Sequence, residues 1–437
     1  GDDGRVEAFA KAYCDFINNG KTERECVAYG EKLAKAHGFE DLNAAVRSGR
    51  KLEAGARVYA NWMGKSFMLF VLGEKPLEEG MNILGAHIDS PRIDVKQNPL
   101  YEDTDLAYLD THYYGGIKKY QWVAIPLALH GVIVRKTGEK VIINIGEDEN
   151  DPVFCISDLL VHLAQEQMTK NAKEVVEGEA LNLIVGGRPL EGEEKDAVKA
   201  NVLKLLADKY GVEEEDFLSA ELEIVPAGKA RDMGFDRSMI LAYGHDDRVC
   251  AYPSMMAVLD YEGTPEYTLC CIVTDKEEIG SVGATGMASH YLENTVAELY
   301  ACTADYCELA VRRCLRNSRM LSSDVSAGYD PNFASASEKK NSAFLGRGIC
   351  FNKFTGSRGK SGSNDANPEF MASLRKIMDD AGVAFQTAEL GRVDLGGGGT
   401  IAYLCAKYGM NVIDSGIPVL SMHAPYEVIS KVDHVHA

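Results

Sequence analysis

The sequence predicts an α/β protein whose main domain is interrupted by a β-rich insertion. Three observations carry that reading. Short apolar runs that end in glycine or in polar residues, such as 65–73 and 81–87, alternate with helical patterns. Between about 97 and 235 the alternation gives way to a hairpin-like texture. From about 238 it returns, and acidic residues again fall where strands should end. At 437 residues the chain exceeds a usual single domain, which leaves room for both parts. The predicted division is 1–96 plus 236–437 for the α/β domain and 97–235 for the insertion.

Taken in order, Val6, Phe9, Ala10, Tyr13 and Ile17 recur at helical spacing, and helices are expected over 5–18 and 22–36. "KSFMLFVLG" (65–73) and "MNILGAH" (81–87) read as buried strands bounded by glycines. Inside the insertion, "WVAIPLALHGVIVRKTGEKVIINIGE" (122–147) reads as hairpins turning at Thr137-Gly138, followed by a helix near 156–168. A charged stretch (191–217) and a strand, "AELEIVPAG" (220–228), complete it. Beyond, "YTLCCIVTD" (267–275) is a buried strand and 282–300 a helix, and further strands are expected at 316–324 and 348–354. In 367–382, Phe370, Met371, Leu374, Ile377 and Met378 share a helical face behind an Asn367-Pro368 start. A helix (398–409) and a strand (410–420) close the pattern.

Composition excludes more than it proposes. A hydrophobic share of 46% and a charged share of 26% describe an ordinary globular protein. The formal net charge of −20 argues against nucleic acid or an anionic membrane as partner. Eleven cysteines without repeated spacing, with Cys270 and Cys271 adjacent in an apolar run, fit buried thiols rather than a disulfide framework. No apolar run approaches membrane-span length and the N-terminal residues lack a signal-peptide pattern, so a cytoplasmic location is the default expectation.

The chemistry begins at "GAHIDSPRIDVK" (85–96). On an extended strand alternate residues share a face, so Asp89 can hold the ring of His87 while the other ring nitrogen meets a metal. Four more stretches follow apolar runs: "GHDDR" with Asp246 and Asp247, "TDKEEIGS" with Glu277 and Glu278, "SSDVS" with Asp324, and "SMHAP" with His423. Ligand sites in open α/β sheets lie at the carboxyl ends of strands. Two imidazoles and three carboxylates, with a glutamate to spare, are the inventory for two divalent ions sharing one bridging carboxylate. Any single member could be a solvated loop acid; six in this order argue against that. Two acids side by side on a strand would repel and face opposite ways. If Glu278 binds metal, Glu277 is left to take a proton from a metal-bridging water and pass it to the leaving amine. The glycine run 395–403 lacks the Lys-Ser/Thr continuation of a phosphate loop and reads as close backbone approach or tight packing, while the polar, basic 356–365 reads as a surface or intersubunit loop.

"GAHIDSPR", "DKEEIGS", "SSDVSAGYDPNF" and "IPVLSMHAPYE" together resemble the M18 family of metallo-aminopeptidases, the aspartyl aminopeptidase group. The resemblance covers essentially the whole chain. It implies a metallo-exopeptidase (phosphorylase/hydrolase-like) α/β/α sandwich with an inserted β-rich dimerisation domain, assembled as a tetrahedral dodecamer with its active sites facing an interior chamber. It implies two Zn²⁺ ions, with Co²⁺ or Mn²⁺ as substitutes, and peptide substrates with a free N-terminus. His87, Asp246 and Asp324 would hold one metal; Asp246, Glu278 and His423 would hold the other. Asp89 would orient His87, and Glu277 would be the general base. His162, in "DLLVHLAQEQ", matches a histidine lent to a neighbouring subunit's site, and Lys353 matches a basic residue near the substrate.

The sequence also departs from the family. Asp247 stands where the family usually has Asn, leaving two candidates for the bridging carboxylate, and Ala327 and Asp330 replace two histidines near the substrate. An added carboxylate there disfavours an acidic N-terminal side chain, so a broader or non-acidic preference is expected. The competing readings are a related dinuclear metallohydrolase, a carboxypeptidase or deacylase, and a non-catalytic shell protein. The inserted domain and the Glu-Glu-Ile-Gly-Ser context favour the aminopeptidase over the first, and the intact Glu277 and ligand set oppose the second.

Overall fold

A computed structural model describes residues 3–437. The chain divides into two compact units. The first runs to Asp89, resumes over Ala230–Met422 and ends with Glu427–Ala437; the second comprises Ser90–Lys229 and His423–Tyr426. The mixed α/β class is the one the sequence predicts.

In the first unit a nine-stranded sheet runs, in spatial order, Glu40–Asp41, Arg57–Trp62, Ser66–Val71, Thr268–Thr274, Met81–His87, Arg319–Ser322, Asn411–Gly416, Ile349–Asn352 and Phe385–Thr387. The four middle strands, Thr268–Thr274 through Asn411–Gly416, are mutually parallel. Antiparallel neighbours flank them, Ser66–Val71 on one side and Ile349–Asn352 on the other. Parallel strands are covered on both faces and so read as continuous apolar runs. Phe67, Leu69, Val71, Cys271 and Val273 join a core with Tyr13, Phe16 and Val27 of the N-terminal helices and Met255 of the helix His245–Leu259. Met68, Phe70, Cys270, Ile272 and Met320 join a second core with Val296 and Leu299 of Tyr291–Ala301 and Val311 and Leu315 of Glu308–Asn317. Strand alternation thus sends Cys270 and Cys271 into different cores, and all eleven cysteines are free thiols.

Two glycines let backbones approach where the site is built. At Gly85, inside the strand Met81–His87, a Cβ would lie 2.2 Å from the Met320 side chain; at Gly416 it would lie 1.7 Å from the Asp324 carbonyl oxygen. Because the middle strands are parallel, His87, Asp275 and Ser323-Asp324 all emerge at the same edge of the sheet.

The second unit carries a six-stranded sheet, antiparallel throughout, in the order Lys140–Ile145, Leu127–Val134, Ala220–Pro226, Arg92–Asp103, Leu106–Tyr114 and Leu183–Gly186. Its one α-helix among the described residues is Ala197–Tyr210. The helix expected near 156–168 is absent. Single 3₁₀ turns at Val161–Leu163 and Gln167–Thr169 take its place. Leu159, Leu160, Val161 and Leu163 are exposed, so these apolar side chains bury no helical face, which is what most helices need to persist. The helix expected over 282–300 begins only at Tyr291; Gly283 sits at a φ of 94° and the chain turns back on itself before the helix starts.

Candidate metal centre

His87 ends its strand with its ring buried. Nδ1 lies 2.9 Å from the Asp89 carbonyl oxygen and 3.2 Å from Asp89 Oδ1, so it carries the proton. In the neutral ring the lone pair therefore falls on Nε2, which makes no hydrogen bond and faces carboxylates: Asp246 Oδ1 at 3.1 Å, Glu277 Oε2 at 3.6 Å, Asp324 Oδ1 at 3.7 Å and Glu278 Oε1 at 3.9 Å.

The two glutamates are not on a strand, as the sequence reading supposed. The strand stops at Thr274, Lys276 adopts a left-handed φ of 71°, and Glu277–Ile279 form a 3₁₀ turn. That turn brings both acids round to the same buried cluster. Asp89 holds it there, because Glu277 N–H donates to its Oδ1 and Glu278 N–H to its Oδ2, each at 3.1 Å. One buried carboxylate thus orients the histidine and grips the glutamate turn.

The adjacent aspartates have separate tasks. Asp246 turns its carboxylate towards His87 Nε2, and its own N–H donates to Glu427 Oε1 at 3.1 Å. Asp247 Oδ2 instead accepts the backbone N–H of His87 at 3.1 Å. The two groups are joined by a cis peptide bond.

Electrostatics follow from the crowding. Burial alone would lower the His87 pKa, but Glu277, Asp246, Asp324 and Asp89 outweigh it and hold the imidazole well above 6.5. Burial pushes Glu277 well above the ordinary carboxylate range; His87 opposes this, and Asp324, Glu278 and Asp246 add to it. Asp324 is raised first by burial, against the pull of His87. A divalent cation is the counter-charge such a cluster calls for. An imidazole nitrogen with carboxylate oxygens suits zinc, and one ligand atom each from His87, Asp246 and Asp324 lie within 4.8 Å of one another. Asp246 and Glu278 oxygens approach each other within the same limit.

Residues 16–437 match the family model described as aminopeptidase I zinc metalloprotease (M18). The chain belongs to the M18 family. A probable M18 family aminopeptidase 1 of Clostridium acetobutylicum is 59% identical, over 98% of this chain and 92% of that protein. The crystal structure of an M18 aminopeptidase from Thermotoga maritima superposes with a TM-score of 0.94 at 43% identity, covering 99% of this chain and 94% of that one. The fold extends to a structure of the S. cerevisiae mApe1 dodecamer, with a TM-score of 0.77 at 21% identity, covering 98% and 95%. The protein is therefore a zinc aminopeptidase, and its substrates are peptides.

The remaining predicted residues of this aminopeptidase are held by contacts of their own. His423 sits in the segment grouped with the second unit, where its Nδ1 is 2.7 Å from the Gly116 carbonyl oxygen. That bond protonates Nδ1 and leaves the lone pair on Nε2, the arrangement a ligating histidine needs. His162 lies on the exposed 3₁₀ turn of the second unit. Lys353 is ion-paired to Asp365, which also receives Lys360 at 3.1 Å. Asp330 is engaged as an N-cap, its Oδ1 accepting the Asn332 N–H at 2.9 Å.

Sequence reasoning passed over Glu427 and Gly116. The first lies four residues after His423, and the second belongs to a Gly115-Gly116 pair ending a strand. An acid beside a candidate ligand and a double glycine were the available signals.

Proposed function

We propose that this aminopeptidase works with two zinc ions and uses Glu277 as its general base. His87, Asp246 and Asp324 hold one ion; Asp246, Glu278 and His423 hold the other, with Asp246 shared. When bound, the pair lowers the pKa of water and polarises the scissile carbonyl. Glu277 takes the proton of the attacking water on Oε2 and returns it to the leaving amine. Asp89 keeps the His87 tautomer fixed, with Nδ1–H facing Asp89 and Nε2 available as donor. Asp247 is a backbone anchor rather than the bridging group, since its Oδ2 accepts the His87 N–H. The observation that carries the reading is the convergence of His87, Asp246 and Asp324 ligand atoms within 4.8 Å, with the Glu277 carboxylate 3.6 Å from the same imidazole nitrogen.

The deciding experiment separates the adjacent glutamates. Glu277→Gln should keep its zinc and lose kcat by ~10²–10⁴-fold, the usual worth of a positioned base. Glu278→Gln should lose part of its zinc. Equal zinc loss in both variants, with activity tracking occupancy, would reverse the assignment.

The first unit is read as the α/β/α sandwich of a metallo-exopeptidase and the second as its inserted dimerisation domain. The assembly is a homo-oligomer, a tetrahedral dodecamer like that named for S. cerevisiae mApe1, with His162 lent to a neighbouring copy's site. For the N-terminal residue of the peptide, a broad or non-acidic preference is supported by the pairing of Lys353 with Asp365. It is tested by kcat/KM for Asp-, Glu-, Leu- and Lys-reporters, and a strong preference for Asp or Glu would overturn it.

A further inference from the structure

Next to the glutamate turn lies a second buried polar cluster. Lys65 and Ser66 come from the turn and strand start that follow Arg57–Trp62, Asp275 from the end of Thr268–Thr274, and Thr285 from the segment before Tyr291–Ala301. Ser66, Asp275 and Thr285 are buried, and Lys65 is only 7% exposed. Thr285 Oγ1 donates to Asp275 Oδ2 at 2.6 Å, and Lys65 Nζ stands 3.6 Å from the same oxygen. Asp275 Oδ1 accepts the N–H of Lys276 at 2.8 Å, the residue whose left-handed φ starts the turn. Ser66 Oγ accepts the Asp275 N–H at 3.2 Å and donates to the Thr285 carbonyl at 2.6 Å.

The turn is closed from its far side too. Ser281 N–H donates to the Lys276 carbonyl at 2.7 Å, and residue 286 pairs with Asp275 as a short parallel bridge. A Cβ at Gly286 would lie 2.3 Å from the Ser281 carbonyl oxygen, so this closure has no slack.

We propose that Asp275, clamped by Thr285 and Lys65, is a positioning residue for the reaction: it fixes Lys276 in its left-handed conformation and so aims Glu277 at the reacting water. Asp89 grips the turn by the N–H groups of Glu277 and Glu278, and Asp275 supplies a separate point of support at Lys276, where the turn begins. Buried charge is retained here because a neutral group could not both accept the Lys276 N–H and meet Lys65. The inference rests on Glu277 being the base.

Thr285 offers the cleanest test, since valine is nearly isosteric with it and lacks only the hydroxyl. Thr285→Val should lower kcat by roughly 10–100-fold, the scale of a sub-ångström to 1 Å misplacement, with KM and zinc content unchanged. Thr285→Ser, which restores the hydroxyl, should recover most of kcat. In the Glu277→Gln background, Thr285→Val should cost almost nothing further, because the group it aims is already gone. A loss of kcat of equal size in both backgrounds, a loss that follows zinc content, or wild-type kcat in Thr285→Val would overturn the proposal. Lys65→Met serves as a second variant and should show the same dependence on Glu277. The base assignment stands or falls separately, on Glu277→Gln alone.

Discussion

At the scale of single residues the site is a set of acids told apart by what they touch. Asp246 and Asp247 are neighbours in sequence, yet one faces the His87 ring and the other its backbone. Burial, then the nearby Asp324, pushes the Asp247 carboxyl well above the ordinary range, against the pull of His87. Asp247→Asn should therefore retain zinc and most activity, while Asp246→Asn loses zinc; metal analysis of the two purified variants checks this. The raised pKa values of His87 and Asp324, the proposed ligands, also have a sign. The metal-free folded protein holds protons near neutral pH that zinc must displace, because ligands bind deprotonated. Zinc binding should release protons at about pH 6.5 and weaken as pH falls, measurable by calorimetry in buffers of different ionisation enthalpy. The identities of these residues were readable from sequence as acids and histidines following apolar runs. Their division of labour was not, since which way a side chain points past a strand end depends on the turn that follows.

At the scale of elements, the sheet edge explains both what was legible and what was not. Continuous apolar runs located the strands ending at His87 and Thr274, because strands buried on both faces admit little else. The left-handed Lys276 left no mark, since lysine is an ordinary resident of helices and strands and its φ is imposed from outside. The false helix near 156–168 has the opposite cause: helical spacing of Leu159, Leu160 and Leu163 is visible, but nothing in the sequence says whether a face is buried. The glycines carry sharper consequences. Gly85→Ala clashes with the flexible tip of Met320, its other neighbours being at ordinary contact distance, and should cost about 1–3 kcal/mol of stability with activity retained. Gly416→Ala meets the Asp324 backbone, which cannot yield without moving that proposed ligand, so zinc and activity should fall together. Thermal melts read beside zinc content distinguish the two.

At the scale of the whole molecule, the unit boundary falls directly after Asp89, so the His-x-Asp motif closes the first unit's opening segment. Sequence texture changes near 97, inside the strand Arg92–Asp103, which is itself apolar in places. The return of 423–426 to the second unit was invisible, four residues being too few to alter composition. Leu159, Leu160, Val161, Leu163 and Met168, which flank His162 in sequence, are all exposed. Apolar side chains gathered in this way mark an interaction surface. Leu160→Asp with Leu163→Asp should break the assembly into smaller species in light scattering. Mixed assemblies of His162→Ala and Glu277→Gln chains should regain activity if the histidine crosses between copies; no recovery would count against sharing.

The double grip of Asp89 has a bearing on ionic size. The ring of His87 and the backbone of Glu277 and Glu278 hang from one buried carboxylate, so the ligands cannot spread independently to fit a larger ion. A site of this kind resists expansion and ranks metals by radius as well as by affinity. Chelation should abolish activity and Zn²⁺ restore it. With occupancy matched to remove the ordinary affinity order of divalent ions, Co²⁺, close to zinc in radius, should support a higher kcat per bound ion than the wider Mn²⁺. Loosening the grip by Asp89→Asn should narrow that gap while lowering the rate with both.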